Sequence, residues 1–463
     1  MTDTCDLIVL GLGVAGIEVA QQAARAGLTV TAVEGNLVGG ECPYWGCIPS
    51  KVMVRASDSL AEAARVVGLA GDVTISPNWA PVAHRNRKTT NAWSDAASAT
   101  SLQAHGVRLL RGTGTIRGPR EVTVNGQTLV ARRGLVISTG TMPVIPGIDG
   151  IDGVGFWTNR EAIETAELPR SLLVLGAGAV GLELAQVFRR FGVRVTIVEA
   201  EDHVLPMEEP ENGAAMEEVL RAEGVELRTA TKCLAVRQVD GGITASFSSG
   251  EAVEAERLLV ATGRRPNLRM LGIEVLGLDP DAPAIPTDDR LRATDGVWAV
   301  GDVTGHGAFT HVAYYQAQIA AADILGQPHA AADYSAVPRV TFTDPEVAGV
   351  GLTETQARAS GLDVRVGLLP IAASDRGWLH GPGTEAGVVK LVADGQTDML
   401  VGGSAMAPAA GEVIAFVGLA IRAGIPITTL QEFIYPYPTF VRAVKGALRR
   451  LGGATVSRDR ATL

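Results

Sequence analysis

Cysteine is scarce in this chain, which has 4 cysteines among 463 residues. So few cysteines argue against a secreted scaffold held together by disulfides, and we therefore expect a cytoplasmic protein. Aromatic residues make up only 5% and charged residues 19% of the sequence, whereas 46% of the residues are hydrophobic. This balance is typical of a well-buried globular protein and excludes a disordered chain.

An excess of positive charge is also missing, because the formal net charge is -10 at pH 7. This balance argues against nucleic acid or an anionic membrane surface as the main partner. No run of residues is long and apolar enough to span a bilayer, so we expect no membrane partner either. A chain of this length exceeds one ordinary hydrophobic core and predicts about three domains.

Glycine is abundant, with 55 residues, and the first of two similar glycine turns follows the apolar run 6–10. Its glycines are Gly11, Gly13 and Gly16, and a helical stretch, a second apolar run and then Glu34 follow. Strand, glycine turn, helix, strand and acid in this order are typical of a dinucleotide-binding unit. The glycines let backbone amides approach a pyrophosphate, and the acid accepts hydrogen bonds from ribose hydroxyls.

The second turn has the same design, with an apolar run at 171–175, a helical stretch and then a further strand. Glu199 lies 23 positions after Gly176, as Glu34 does after Gly11. Two such units in the right context predict two bound dinucleotides, one fixed and one exchanging. Glu199 is followed by Ala200, Glu201 and Asp202 without a cation, and a 2′-phosphate requires one. We therefore predict NADH rather than NADPH at the second unit.

Cys42 and Cys47 lie five positions apart, directly after the first dinucleotide unit. A free cysteine is usually inert packing. Two thiols this close to a site that can hold a redox cofactor instead suggest a disulfide that opens and closes during catalysis. No residue set is predicted to hold a resident metal ion.

At this point the chain resembles the class I flavoprotein disulfide reductases, the family of dihydrolipoamide dehydrogenase, glutathione reductase and mercuric reductase. The likeness covers nearly the whole chain and rests on motifs in a fixed order. Besides the two glycine turns, these are Gly39–Lys51, Ser138-Thr139-Gly140, Ala261–Asn267, Ala299–Asp302 and Val340–Glu346. The resemblance implies an α/β fold with two Rossmann-like domains and an α+β dimerisation domain. The expected bounds are 1–145 with 268–335 for a split FAD domain, 146–267 for the NAD(P) domain and 336–463 for the dimerisation domain.

The resemblance also implies the cofactor sites. The residues expected to hold FAD are Gly11, Gly13, Gly16, Glu34, Gly40, Lys51, Thr139, Gly140 and Asp302. The residues expected to hold NADH are Gly176, Gly178, Gly181, Glu199 and Gly263.

The chemistry implied by the family is electron transfer from NADH through FAD to a Cys42–Cys47 disulfide and on to a small thiol or disulfide substrate. Cys47 is the expected flavin-side sulfur, and Cys42 is the outer thiol that attacks substrate. Lys51 is expected to pair with Glu183 beside the flavin. The C-terminal part is expected to form a homodimer and to complete the partner's active site.

The C-terminal motif departs from the family pattern His-Pro-Thr-x-x-Glu. Tyr437 stands at the histidine position and Arg442 at the glutamate position. A phenol, with a pKa near ~10 against ~6.5 for imidazole, donates a proton but is a poor base at neutral pH. Mercuric reductases also carry tyrosine here, yet 456–463 contains no vicinal cysteine pair, so we do not expect efficient mercury detoxification.

Two further functions therefore stay open. The first is an NAD(P)H-dependent reductase of a quinone, another electrophile or a soft metal ion, using flavin or dithiol. The second, ranked last, is a non-enzymatic redox sensor. Tyr44 and Trp45, between the two cysteines, are either an aromatic wall that selects substrate or simple core packing.

Overall fold

The computed structural model describes residues 2–452, so the stretch 456–463 considered above lies outside the described residues. The strands are β1 (Thr2–Leu10), β2 (Val30–Glu34), β3 (Val107–Arg111), β4 (Gly114–Gly118), β5 (Glu121–Val124), β6 (Gln127–Ile137), β7 (Met142–Pro143), β8 (Ser171–Leu175), β9 (Arg194–Val198), β10 (Glu226–Arg228), β11 (Cys233–Val239), β12 (Gly242–Phe247), β13 (Ala252–Ala255), β14 (Arg257–Val260), β15 (Arg264–Arg265), β16 (Arg292–Thr294), β17 (Val297–Ala299), β18 (Pro338–Thr341), β19 (Glu346–Gly351), β20 (Val364–Pro370), β21 (Val388–Asp394) and β22 (Met399–Ala407).

The helices are α1 (Val14–Arg25), α2 (Glu41–Trp45), α3 (Cys47–Ala64), α4 (Ala80–Thr89), α5 (Ala96–Ala104), α6 (Asn159–Glu164), α7 (Ala179–Arg190), α8 (Pro210–Ala222), α9 (Thr310–Leu325), α10 (Glu354–Ala359), α11 (Asp375–His380), α12 (Ala410–Arg422), α13 (Ile427–Glu432) and α14 (Arg442–Leu448). The α/β class predicted from the sequence is confirmed. The chain forms two compact units, which are described separately below.

The first unit contains the residues up to Val52, together with Ala83–Ile145 and Gly263–Tyr334. Its main sheet runs β16-β17-β6-β1-β2-β3, and β5 adds to β6 and pairs with β4. The strands β17, β6, β1, β2 and β3 are parallel to their neighbours. Parallel strands need both faces covered, which explains why β1 is apolar throughout its second half.

Alternate residues of β1 enter two different cores. Leu7 and Val9 pack in one core with residues of α1 and α9, and Ile8 and Leu10 pack in the other with residues of β5 and β6. This alternation is the two-residue period of a strand. Packing on both faces holds the carboxyl end of β1 in place, and the first glycine turn begins there.

The second unit contains Met53–Val82, Pro146–Thr262 and the residues from Ser335 onward. It carries a parallel sheet of order β10-β9-β8-β14 and an antiparallel sheet of order β11-β12-β13. A further antiparallel sheet, β18-β19-β22-β21-β20, shares a core with α12 and α14. The predicted bounds of the FAD, NAD(P) and dimerisation domains stay predictions.

A buried ion-pair network in the second unit holds the distal half of α3, the helix whose first residue is Cys47. The guanidinium of Arg190 lies 3.0 Å from Asp58, 2.9 Å from Asp344 and 2.6 Å from Glu223. Arg65 also pairs with Asp344, at 2.6 Å. Burial, together with the charge of Asp344, raises the pKa of Asp58 to about 6. Fixed charges with several partners hold this end of α3 in one position.

Among the helices of residues 2–452, none is both long and apolar enough to cross a bilayer.

Candidate active site

The first glycine turn joins β1 to α1, and steric contacts require glycine at two of its positions. Gly11 has φ +87°, and a Cβ there would lie 2.6 Å from the carbonyl oxygen of Ser138. A Cβ on Gly16 would lie 2.1 Å from the carbonyl oxygen of Gly11. Gly13 differs, because a Cβ there would meet no heavy atom of the described residues within 4 Å. The turn is therefore packed on one side and open beside Gly13, where α1 begins.

Glu34 ties the end of β2 to this turn. One carboxylate oxygen accepts a hydrogen bond from the amide of Leu12 at 2.6 Å, and the other accepts from the amide of Asn36 at 2.7 Å. Burial raises the pKa of Glu34, and the two amide donors oppose that shift. Glu34 thus fixes the conformation of the glycine turn. The sequence predicted a contact of this acid with ribose but not this structural role.

The second glycine turn repeats this construction between β8 and α7. Gly176 has φ +100°, and a Cβ there would lie 2.4 Å from the carbonyl oxygen of Ala261. A Cβ on Gly181 would lie 2.1 Å from the carbonyl oxygen of Gly176, whereas Gly178 faces open space. Glu199 accepts from the amide of Ala177 at 2.6 Å, in the position that Glu34 has in the first turn.

Both turns fit a dinucleotide. In the part of the chain that the structure describes, no side chain caps the N-terminus of α1 or of α7. Helix N-termini carry partial positive charge and orphan amide donors, which suit a pyrophosphate. The open space beside Gly13 and Gly178 leaves room for the group to approach.

An arginine lies next to Glu199, and its guanidinium is already paired with other carboxylates. The backbone oxygen of Arg228 accepts from the amide of Glu199 at 2.8 Å. Its guanidinium pairs with Glu226 at 2.5 Å and with Glu251 at 2.8 Å. Glu199 also accepts from the amide of Glu201 at 3.0 Å. This acidic environment disfavours a 2′-phosphate.

Asp302 lies just after the carboxyl end of β17, in a short 3-10 turn, Asp302–Thr304. Its carboxylate accepts a hydrogen bond from the Thr141 hydroxyl at 3.3 Å. Burial raises the pKa of Asp302, and the nearby Arg264 guanidinium opposes that shift. Thr139 and Gly140 come directly before Thr141 and follow β6, so these predicted FAD residues lie at neighbouring strand ends.

Gly40 brings the cysteine segment against the first glycine turn. It has φ +68°, and a Cβ there would lie 2.9 Å from Cα of Gly13. Helix α2 begins at the next residue and carries Cys42, and α3 begins at Cys47. Glycine is required at position 40 because two backbones meet there. Among the predicted site residues, the structure therefore brings Gly13, Gly40 and the two cysteines into one region of the first unit.

Cys42 and Cys47 are free thiols in the structure, with Cys42 partly buried and Cys47 exposed. The hydroxyl of Thr310 donates a hydrogen bond to Cys42 Sγ at 3.3 Å. The same hydroxyl lies 3.2 Å from Cys47 Sγ, in a bond in which either atom can donate. Thr310 is the first residue of α9. The sequence did not predict this contact, since no motif marks a hydroxyl 263 positions after Cys47.

The two thiols differ in acidity. The hydrogen bond from Cys42 lowers the pKa of Cys47, against burial, and Thr310 and Lys51 lower it further. The same bond to Cys47 raises the pKa of Cys42, and burial adds to that shift. These shifts favour the negative charge of the reduced pair on Cys47, the sulfur predicted to face the flavin.

Glu183 lies on α7 in the second unit, and its side chain is buried. One carboxylate oxygen accepts from the amide of Phe342 at 2.8 Å. The amino group of Lys51 donates to the Ser50 hydroxyl at 3.3 Å in the first unit. Lys51 and Glu183 belong to different units, and their predicted ion pair stays a prediction. Gly263 has φ +120° at the start of a first-unit segment, and its predicted role at the nucleotide site likewise stays a prediction.

Tyr437 projects from the second unit with 59% of its surface exposed. The guanidinium of Arg442 lies 4.8 Å from the centre of its ring, within the range of a cation–π interaction. Arg442 also lies 4.0 Å from Asp375. The tyrosine and arginine that replace the expected histidine and glutamate are therefore in contact with each other.

Tyr44 and Trp45 are buried, with 4% and 8% of their surfaces exposed. The Tyr44 hydroxyl donates to the carbonyl oxygen of Val38 at 3.1 Å, and the two rings are 5.8 Å apart. This burial supports core packing rather than an aromatic wall facing substrate.

Comparison with known families gives two matches along the chain. The family "Pyridine nucleotide-disulphide oxidoreductase" matches residues 5–317. The dimerisation domain of the same name matches residues 337–448.

Several characterised proteins are similar over nearly their whole length. The dihydrolipoyl dehydrogenase of Thermus scotoductus is 36% identical over 97% of this chain and 97% of that protein. The mercuric reductase of Streptomyces lividans is 35% identical over 95% of this chain and 94% of that protein. Among solved structures, a Cu(II) complex of the HOCl-induced flavoprotein disulfide reductase RclA from Escherichia coli has a TM-score of 0.83 and 26% identity, covering 96% of this chain and 99% of that one. LpdA from Mycobacterium tuberculosis has a TM-score of 0.83, 28% identity and the same coverage.

Proposed function

Because the chain belongs to the pyridine nucleotide-disulphide oxidoreductase family, as its motifs predicted, we propose that it passes electrons from NADH to the Cys42–Cys47 pair and on to a small thiol or disulfide substrate. Members of this family are oxidoreductases that use FAD and NAD(P)H.

The first glycine turn, with Glu34, Gly40, Lys51, Thr139, Gly140 and Asp302, would hold FAD. The second turn, with Glu199 and Gly263, would hold NADH. When bound, the two cofactors supply hydride transfer and deliver two electrons to the cysteine pair. The chain itself orients them through amides at the starts of α1 and α7 and excludes a 2′-phosphate through the acidic surroundings of Glu199.

The dithiol does the remaining chemistry. Cys42 must first lose its proton; its thiolate then attacks one sulfur of the substrate disulfide, forming a mixed disulfide and releasing the first product thiolate. The Cys47 thiolate then attacks Cys42 Sγ, the second product thiol leaves, and the Cys42–Cys47 disulfide forms. Each leaving thiolate takes one proton, so the substrate gains two electrons and two protons in all.

Tyr437 would supply a proton to a leaving thiolate from the partner subunit. Arg442 holds the ring by its cation–π contact. Support for a homodimer comes from the dimerisation-domain match. Exposed apolar side chains in the C-terminal domain, such as Ile434 at 90% and Trp378 at 76%, also suit a covered surface.

The observation that carries this proposal is the free thiol pair next to the glycine turn, with one thiol acidified and the other held neutral. Cys42→Ser tests it directly. We expect the variant to keep its FAD and to lose NADH-dependent reduction of small disulfides. Disulfide reductase activity that survives in Cys42→Ser would overturn the proposal, and Cys233→Ser, in the second unit, is the matched control.

A second candidate is the reduction of a quinone, another electrophile or a soft metal ion. It is favoured by tyrosine at the expected histidine position, because such acceptors need less acid–base help than a disulfide. Mercuric reductases and a Cu(II) complex are among the similar proteins. The same variant separates the two, since quinone reduction that survives Cys42→Ser points to direct flavin chemistry.

A further inference from the structure

Thr310 is bonded to both reacting sulfurs at once. Its hydroxyl donates to Cys42 Sγ at 3.3 Å and shares a bond with Cys47 Sγ at 3.2 Å. A hydroxyl can donate one proton and accept another. The observed direction toward Cys42 leaves the Thr310 oxygen free to accept from Cys47. The three groups therefore form a continuous hydrogen-bonded path inside the first unit of a single subunit.

The position of this hydroxyl is fixed by its helix. Thr310 is the first residue of α9, and α9 packs on α1 through small side chains such as Ala317 and Ala320. Further along α9, Gln316 is fully buried and accepts from the amide of Gly301 at 2.6 Å. A β-branched side chain on a packed helix has few χ1 choices. The hydroxyl is thus held at the dithiol by packing of the helix core.

The dithiol has a chemical problem that this path can solve. In the resting reduced pair the negative charge sits on Cys47, because the hydrogen bond from Cys42 and the charge of Lys51 favour it there. The nucleophile that attacks substrate must be a Cys42 thiolate. Histidine, which carries that proton in related enzymes, is replaced by Tyr437, and a phenol is a poor base. The histidine next to Thr310 in the chain is His311, and its ring stacks on the ring of Phe309 with 5.2 Å between the two ring centres.

We propose that the Thr310 hydroxyl relays a proton between the two sulfurs, from Cys42 to Cys47, and so generates the attacking thiolate without an external base. This relay presupposes the disulfide chemistry proposed above and deepens it.

The step balances without a redox change. Either atom can donate in the bond between Thr310 and Cys47. For the transfer, the Thr310 hydroxyl turns to the Cys47 thiolate and the Cys42 S–H turns to the Thr310 oxygen. The Cys42 proton then passes to that oxygen while the hydroxyl proton passes to the Cys47 thiolate. One S–H bond breaks, one forms, and the hydroxyl is regenerated. Afterwards the hydroxyl donates to the Cys42 thiolate and accepts from the Cys47 thiol, the direction that the structure shows toward Cys42. Once Cys42 has attacked the substrate, the Cys47 thiol gives this proton to the first product thiolate and so regains the thiolate that attacks Cys42 Sγ.

Few groups bear on the charge of the two sulfurs. Apart from each other and the backbone amide of Cys47, they are Lys51 on α3 and the Thr310 hydroxyl on α9. Removing the hydroxyl should therefore isolate its contribution, because the lysine and both thiols stay in place.

The test uses the full-length holoenzyme, reduced chemically under anaerobic conditions so that no electron relay is needed. Iodoacetamide alkylation of Cys42 is followed by peptide mass spectrometry across pH in Thr310→Val, Thr310→Ala and Thr310→Ser. We expect both variants without a hydroxyl to slow Cys42 alkylation at neutral pH about tenfold, as one unit of thiol pKa implies. Thr310→Ser should restore the rate, and FAD content reports on folding.

Alkylation of Cys233, in the second unit, is the internal control and should not change between variants. Cys42 rates in Thr310→Val and Thr310→Ala within twofold of the parent at every pH would overturn the relay. Failure of the disulfide chemistry would give a different result. NADH would then leave the dithiol oxidised, whereas chemical reduction would still allow the alkylation rates to be compared.

Discussion

Gly178 and Gly181, in the second glycine turn, give a matched pair of alanine substitutions with opposite expected results. At Gly181 the new Cβ would lie 2.1 Å from the carbonyl oxygen of Gly176, far inside van der Waals contact, so α7 must shift. Overpacking of this kind costs about 1–3 kcal/mol of folding free energy. We therefore expect Gly181→Ala to lower the melting temperature.

At Gly178 the backbone has φ -78° and ψ -177°, a conformation that alanine adopts without strain. No heavy atom of the described residues lies within 4 Å of the added Cβ. The free energy of unfolding should therefore change by less than about 0.5 kcal/mol. The same Cβ would, however, occupy the space through which a pyrophosphate approaches the start of α7. We expect the Kd for NADH to rise at least about tenfold, which corresponds to about 1.4 kcal/mol.

Differential scanning calorimetry and fluorescence titration with NADH separate the two effects. Gly13→Ala is the control in the first turn and should reduce FAD content while leaving the second turn intact. Parent-like NADH affinity in Gly178→Ala would refute the assignment of this turn to the nucleotide. An unchanged melting temperature in Gly181→Ala would refute the steric argument.

Three further predictions follow from the site. The lowered pKa of Cys47, about 6, predicts that its thiolate persists at neutral pH and is lost as pH falls through that value. Ultraviolet thiolate absorbance of the reduced protein measures this, and a midpoint near the ordinary thiol value of about 8.5 would contradict it. The acidic surroundings of Glu199 predict a kcat/KM for NADH at least about tenfold above that for NADPH, and steady-state kinetics with equal or better use of NADPH would show the prediction to be wrong. Tyr437→Phe should slow disulfide turnover about tenfold or more without changing reduction of the protein by NADH, as expected for loss of a general acid. Stopped-flow and steady-state assays separate these steps, and unchanged disulfide turnover would remove Tyr437 from the mechanism.

The dinucleotide turns could be predicted from the sequence because their signal is local. Strand, glycines, helix and acid lie within one short stretch, and the structure confirms the order in both copies. The start of the helix is harder to predict, since α1 already begins at Val14, inside the glycine segment. The reason is that Gly13 is already the capping residue of the helix, whereas the sequence pattern assigned the whole glycine segment to a turn.

The contacts of the dithiol could not be predicted in the same way. Thr310 reaches Cys47 only because α9 packs on α1, and no residue pattern near either cysteine records that packing. Only part of the role of Glu34 could be predicted. Its two amide partners could not, because they depend on the exact path of the turn after β2. Tyr437 could be singled out from its motif, but its contact with Arg442 depends on the path of the chain between the two residues.

Electrons from NADH should reach the Cys42–Cys47 pair. Anaerobic titration of the purified protein with NADH, followed by absorbance and thiol counting, tests it most directly. We predict that two electrons produce two new thiols per subunit, together with a long-wavelength absorbance band from the Cys47 thiolate beside the flavin. Bleaching of the flavin without new thiols would contradict the account and would move the search for acceptors to quinones and oxygen.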